Sequence, residues 1–186
     1  MRKTPTIFMR NMESDHRVRD EVTPGCEWVL AGEGRPTRKW DGTAVLVRDG
    51  KVLKRYEVKK DGEPPEQFEP AQPKDANTGK QVGWVPMLGA KEDRWLLEAI
   101  ADGVPSDGTY ELCGPKVNGN HEGLSRHLLI RHGVEEFMDF PRSFDSIKAF
   151  LDQTDTEGIV WWHPDGRRAK IKGKDFGFKR PSERRT

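Results

Sequence analysis

GIVWWHPDGRRAKIK, residues 158–172, reads as an antiparallel hairpin. A run of β-branched and aromatic residues enters the turn Pro164-Asp165-Gly166, and an alternating run leaves it. Upstream, TAVLVRDGKVLKRYEV (residues 43–58) has the same form around Asp49-Gly50, the strongest short hairpin signal. TYELC (109–113) predicts a further strand. Between these strands, DRWLLEAIADG (93–103) places Trp95, Leu96, Ala99 and Ile100 on one helical face, with Gly103 as the stop. SFDSIKAFLDQ (143–153) predicts a helix capped by Ser143, with Ile147, Phe150 and Leu151 inward. Lys60 to Pro86, rich in Pro, Gly, Gln and Asp, predicts a long surface loop or insertion. Residues 114–133, rich in Gly, Asn and His, are hard to classify. Strands outnumber helices, so the expected class is α+β with antiparallel sheets.

At 186 residues a single domain, 1–186, is the expectation, with residues 180–186 as a flexible tail. Six Trp and eight Phe supply a core despite 34% charged residues. The net charge of +1 excludes a global basic field, so any nucleic-acid affinity must come from a local patch. The stretch from Arg167 to Arg185 carries nine Lys and Arg against Asp175 and Glu183, and Arg184 and Arg185 read as a solubilising end. Only Cys26 and Cys113 are present, without metal or disulfide spacing, which predicts a reducing compartment. MRKTPTIFMRN holds no apolar run long enough for a signal peptide or a membrane span, so a cytoplasmic protein with no membrane partner is expected.

Four short pieces carry chemistry: Lys39-Trp40-Asp41-Gly42, Glu111, Glu157-Gly158-Ile159-Val160 and Lys170-Ile171-Lys172. The last two lie on opposite arms of the hairpin at residues 158–172. Side chains alternate across a strand, so Lys170 and Lys172 share one face, and Glu157 begins the partner arm at the level where the lysine strand ends. Like charges two residues apart repel unless an anion lies between them, and a triphosphate meets that need. Each piece alone is a weak signal, because Lys-x-Lys pairs are mostly solvated and Lys-x-Asp-Gly is a common surface turn. Their order, each at a strand edge, is the stronger one.

That ordered set resembles the covalent nucleotidyltransferase superfamily of ATP-dependent DNA and RNA ligases and mRNA capping enzymes. The longer strings GRPTRKWDGTAV, YELCGPKVNGN, HLLIRHG and AKIKGKDFG, with the opening TIFMRN strand, look like a compact ATP-dependent RNA ligase. The resemblance implies an adenylation domain in which antiparallel sheets, flanked by helices, enclose a nucleotide cleft. It implies Lys39 as the nucleophile that takes AMP, Glu111 on the ribose, and Arg55 on ribose or phosphate. Lys170 and Lys172 would sit on the phosphates, and Glu157 on the ribose or on a largely hydrated Mg²⁺ (or Mn²⁺). ATP and the metal are thus the expected cofactors, and RNA with 5′-phosphate and 3′-hydroxyl ends the expected partner of a monomer engaged in RNA repair. Only fourteen residues follow Lys172, too few for the OB-fold that most DNA ligases and capping enzymes carry there.

The implied first step is attack of the Lys39 amine on the α-phosphate of ATP. A free lysine has a pKa of about 10.4, so about one amine in a thousand is neutral at pH 7. Making it nucleophilic there requires about 4 kcal/mol of differential destabilisation of the ammonium, from burial and neighbouring cations such as Lys170, Lys172 and Arg55.

Other residues stay open between chemical and structural roles. Asp41 either orients Lys39 or binds metal, or shapes the turn before Gly42. His121, His127 and His132 cluster without a ligand set to complete them, apart from Glu122, and read as a loop in which His132 or Lys116 touches phosphate or RNA, or as structure alone. Trp161 and Trp162 face opposite sides of a strand and are expected in the core, although one could stack on a base. Phe137 or Phe140 could stack on adenine. Two alternative functions remain: a minimal DNA ligase sealing nicks, and a non-catalytic nucleotide- or RNA-binding module.

Overall fold

The hairpin of residues 158–172 forms as the alternation predicts. In a computed structural model describing residues 2–89 and 91–182, strands β10 (Gly158–Trp162) and β11 (Arg168–Lys172) pair antiparallel, Gly158 opposite Lys172 and Trp162 opposite Arg168. On its other edge β10 pairs antiparallel with β3 (Arg35–Lys39), placing Lys39 opposite Gly158. Ile159, Trp161, Ala169 and Ile171 are fully buried and form one face of this three-stranded sheet. Lys39, Lys170 and Lys172 occupy the other face, because directly opposed residues and residues two apart share a side.

The described residues group into two compact units, between which the chain passes at Lys3–Thr4, Trp40–Asp41 and His132–Gly133. One unit comprises Thr4–Trp40 and the chain from Gly133 on. Besides the three-stranded sheet it contains the antiparallel pair β1 (Phe8–Arg10) and β2 (Val18–Val22), the single turn α1 (Glu27–Leu30), and α3 (Phe144–Gln153). Ser143 caps α3 by accepting from the Ser146 N–H, and Ile147 and Leu151 enter the core beside Ile7, Phe8 and Val29. A short 3-10 turn, Gly173–Phe176, follows β11 directly. Phe137, Phe140, Phe150 and Trp161 form a network of edge-to-face and tilted ring contacts at 4.7–5.7 Å.

The other unit comprises Asp41–His132 with the first residues of the chain. Its antiparallel sheet runs β6 (Glu69–Pro70), β7 (Gln81–Pro86), β5 (Lys51–Val58), β4 (Thr43–Arg48), β8 (Gly108–Cys113), β9 (Leu128–Arg131). Asp49 and Gly50 both adopt positive φ, 52° and 69°, the twist a two-residue hairpin needs. Val45, Val47, Tyr110 and Leu112 pack against Leu96 of α2 (Arg94–Ala99). The helix is shorter than the span 93–103: Asp93 ends a preceding 3-10 turn, and its fully buried carboxylate accepts from the Leu88 and Gly89 N–H groups and from Lys54.

Three expectations need correction. Residues 60–86 are not loop throughout, because Gln81–Pro86 pairs with β5 along its length and buries Trp84. A proline at the strand's end and a glycine in its middle hid this strand. Residues 180–182 are anchored rather than flexible: Arg180 is buried and donates to the Asp155 carbonyl, and Ser182 donates to the Asp155 carboxylate. Arg184 and Arg185 lie outside the described residues. Phe140, one of two candidates for stacking on adenine, is buried in the aromatic cluster, whereas Phe137 is only partly buried.

The described residues form a mixed helix-and-strand fold dominated by antiparallel sheets. Among them no helix is long and apolar enough to cross a membrane. Both cysteines are buried and free of disulfide.

Candidate active site

Three strands bring three of the singled-out residues to one point. Gly158 lies directly between Lys39 on β3 and Lys172 on β11, with Glu157 preceding it. Only glycine fits there: a Cβ would meet the Ile171 carbonyl oxygen at 2.0 Å and the Lys172 Cα at 2.9 Å. Glu157 Oε2 accepts from Lys39 Nζ and Oε1 from Lys172 Nζ, so one carboxylate is clamped between two ammonium groups. The three side chains are only 12–18% exposed. Burial alone would push the Glu157 carboxyl up, but the charges of Lys39 and Lys172 outweigh it and hold the group below the ordinary carboxylate range.

Lys170 lies two residues before Lys172 on the same face. Burial, followed by the charges of Lys172 and Lys39, pushes its pKa down to about 8. Asp175 and Glu157 oppose that shift only in part. A three-lysine, one-carboxylate cluster therefore carries excess positive charge in a poorly hydrated place, the setting that favours an incoming anion.

Asp175 supports this arrangement and is not apparent from composition or periodicity. Its carboxylate, 2% exposed, accepts from the Lys172 N–H at 2.9 Å and from Arg10 at 2.5 Å. The backbone at the end of β11 is thereby fixed. An acidic residue three positions after the residue that opens a helical turn is the available sequence signal, and GKD carries it.

Glu111 and Arg55 belong to the other unit. Glu111 on β8 is buried, and its Oε2 lies 2.7 Å from His132 Nε2; since a carboxylate only accepts, that nitrogen carries the proton. Arg55 on β5 lies over the Trp84 ring at 5.2 Å. Asp41 accepts from the Asn118 side-chain amide at 3.0 Å while its own N–H donates to Glu122, as a turn-shaping residue does. At Gly42 a Cβ would lie 2.2 Å from the Leu112 carbonyl oxygen. His127 is buried, stacks on Trp95, bonds Glu98 at 2.9 Å and accepts from the N–H of exposed Lys116, which accounts for it structurally. Of the tryptophan pair, Trp161 is in the core, whereas Trp162 is half-buried and donates to the Thr37 hydroxyl.

Among the described residues no three His, Cys, Asp or Glu side chains converge on a metal position. Both oxygens of Glu157 accept from lysines here, so a cation at this carboxylate would have to displace a lysine and draw most of its ligands from water and phosphates. No protein-family model matches this chain, and no curated protein matches it in sequence.

Proposed function

We propose that this chain is an ATP-dependent RNA ligase built on a nucleotidyltransferase fold, and that it forms lysyl-AMP at Lys39. The observation that carries the reading is Glu157 clamped between Lys39 and Lys172, with Lys170 on the same face. A primary amine set among cations and partly buried is what attack on a phosphate requires. The Lys39 nitrogen forms a bond to the α-phosphorus, and the bond from that phosphorus to the bridging oxygen breaks. Pyrophosphate leaves with the electron pair, and the original ammonium gives up two protons overall.

Lys170 and Lys172 neutralise charge on the α-phosphate during this displacement. Glu157 holds Lys39 and Lys172 in register until the anion arrives, and would hold a hydrated Mg²⁺ or Mn²⁺. Such a metal, when bound, supplies further neutralisation of the triphosphate. In the second step an RNA 5′-phosphate oxygen displaces Lys39 from the AMP phosphorus. In the third a 3′-hydroxyl attacks the activated 5′-phosphorus and AMP leaves. The ribose role of Glu111 and the phosphate role of Arg55 come from the resemblance.

Incubation with α-labelled ATP and Mg²⁺ followed by denaturation tests the first step. The expected result is a labelled protein band that Lys39→Ala abolishes; an undiminished band in that variant overturns the assignment. A band without joining of 5′-phosphorylated RNA, or faster sealing of nicked DNA, would reassign the acceptor. Binding of ATP without pyrophosphate release would favour a non-catalytic module.

A further inference from the structure

The 3-10 turn that follows Lys172 has cations on two sides. Arg10 reaches the Asp175 carboxylate within it. Arg17 lies so close over Gly177, which ends the turn, that a Cβ there would sit 2.6 Å from the Arg17 Nε. Beyond Arg17 a groove of about 230 Å³ opens in the same unit, lined by Arg17, Arg19, Lys148, Phe144, Phe176 and Asp15, among others. The sequence explains the convergence. Arg17 and Arg19 flank buried Val18 at the start of β2, so both point away from the core. Phe144 and Lys148 are four apart on α3 and share a face.

The charge state of this groove differs from that of other cavities in the molecule. In the cavity beside Arg48, Glu69 engages the guanidinium at 2.7 and 2.9 Å. In the two beside Arg35 and Arg38, Glu136 and Glu135 do so at 3.1 and 3.4 Å. Here Arg19 and Lys148 form no ion pair among the described residues. The one lining carboxylate, Asp15, meets Arg17 at 3.7 Å with both side chains more than half exposed, an association that an incoming phosphate displaces at little cost. Arg19 and Lys148 without an ion pair among the described residues, and Arg17 with only a weak one, supply the electrostatic element of a single-strand binding groove.

We infer that this groove forms the path on which the RNA strand bearing the 5′-phosphate is held before its end meets Lys39. The cations grip successive phosphodiesters without reading sequence. The placement rests on the ligase reading, and the partner is single-stranded RNA backbone.

The test compares wild type with Arg17→Glu/Arg19→Glu/Lys148→Glu and with the milder Arg17→Gln/Arg19→Gln/Lys148→Gln. Binding of a short 5′-phosphorylated single-stranded RNA is followed by fluorescence anisotropy across a KCl series, and lysyl-AMP formation is measured on the same preparations. Loss of three phosphate contacts should lower the slope of log affinity against log salt by about 2. RNA affinity should fall at least tenfold at low salt in the Gln variant, and further in the Glu variant. An unchanged slope in the Gln variant overturns the path, as does a loss confined to duplex DNA or to an acidic peptide. If the Glu variant also loses lysyl-AMP formation, it is misfolded and the Gln variant decides. Failure of the wild type itself to form lysyl-AMP or to bind RNA would sink the ligase reading instead, a result distinct from a groove variant that binds as well as wild type.

Discussion

Lys170 differs from an ordinary surface lysine in one measurable respect. Burial and the charges of Lys172 and Lys39 bring its pKa to about 8, so it stops being a cation in mildly alkaline solution. The sign for function follows from its proposed role: Lys170 neutralises phosphate only when protonated, so its contribution is complete below that pKa and lost as pH rises through it. At subsaturating ATP, where the free protein's ionisations are reported, the rate of lysyl-AMP formation should decline with a midpoint near pH 8. Lys170→Arg, charged throughout that range, should move the decline upward by at least about one pH unit. A limb at the same pH in both proteins would remove Lys170 from the role. Glu157 works in the opposite direction. Its lowered carboxyl pKa means that the clamp contributes stability above the unfolded-state value, and that this contribution fades as pH falls through the still lower folded-state value.

Strand β10 decides whether those residues meet. Gly158 is the point at which β3 and β11 approach it from both edges, and the space for a side chain is filled by the Ile171 carbonyl and the Lys172 Cα. Gly158→Ala should therefore force β11 away, costing about 2 kcal/mol or more in urea denaturation and removing lysyl-AMP formation along with the clamp. A stable, fully active Ala variant would show that the strands tolerate separation. Elements of this kind were legible in advance. Alternating apolar residues flanking Asp-Gly turns mark both hairpins, and Ser143 marks the start of α3. The strand Gln81–Pro86 was not legible, because its proline and glycine carry turn statistics while its strand character comes from pairing with β5. Nor was Asp175: a buried carboxylate is defined by its partners, the Lys172 N–H and Arg10, and the latter lies 165 positions away.

Across the whole molecule, a net charge of +1 means that attraction to a polyanion has to arise where cations are left without carboxylates. Positions of that kind cannot be found by counting residues: Arg19 on β2 and Lys148 on α3 are far apart in sequence and meet only in the fold, beside Arg17 with its weak Asp15 contact. The Lys39, Glu157 and Lys172 cluster was legible because two adjacent strands and one motif order constrain it. The histidines were not, since His127 takes its meaning from Trp95 and Glu98. The division into two compact units has a further consequence through the two cysteines. Cys26 lies in the core of one unit and Cys113 is buried in the other, so each unit contains a single shielded thiol. A small disulfide reagent can reach either sulfur only when its surroundings open, and the two labelling rates then act as separate clocks for the two units. Ile147→Val, in the cluster that holds Cys26, should cost about 1 kcal/mol and speed labelling of Cys26 about fivefold. Whether Cys113 keeps its own rate, read by mass spectrometry of the labelled peptides, would show if the chain breathes as one body or as two.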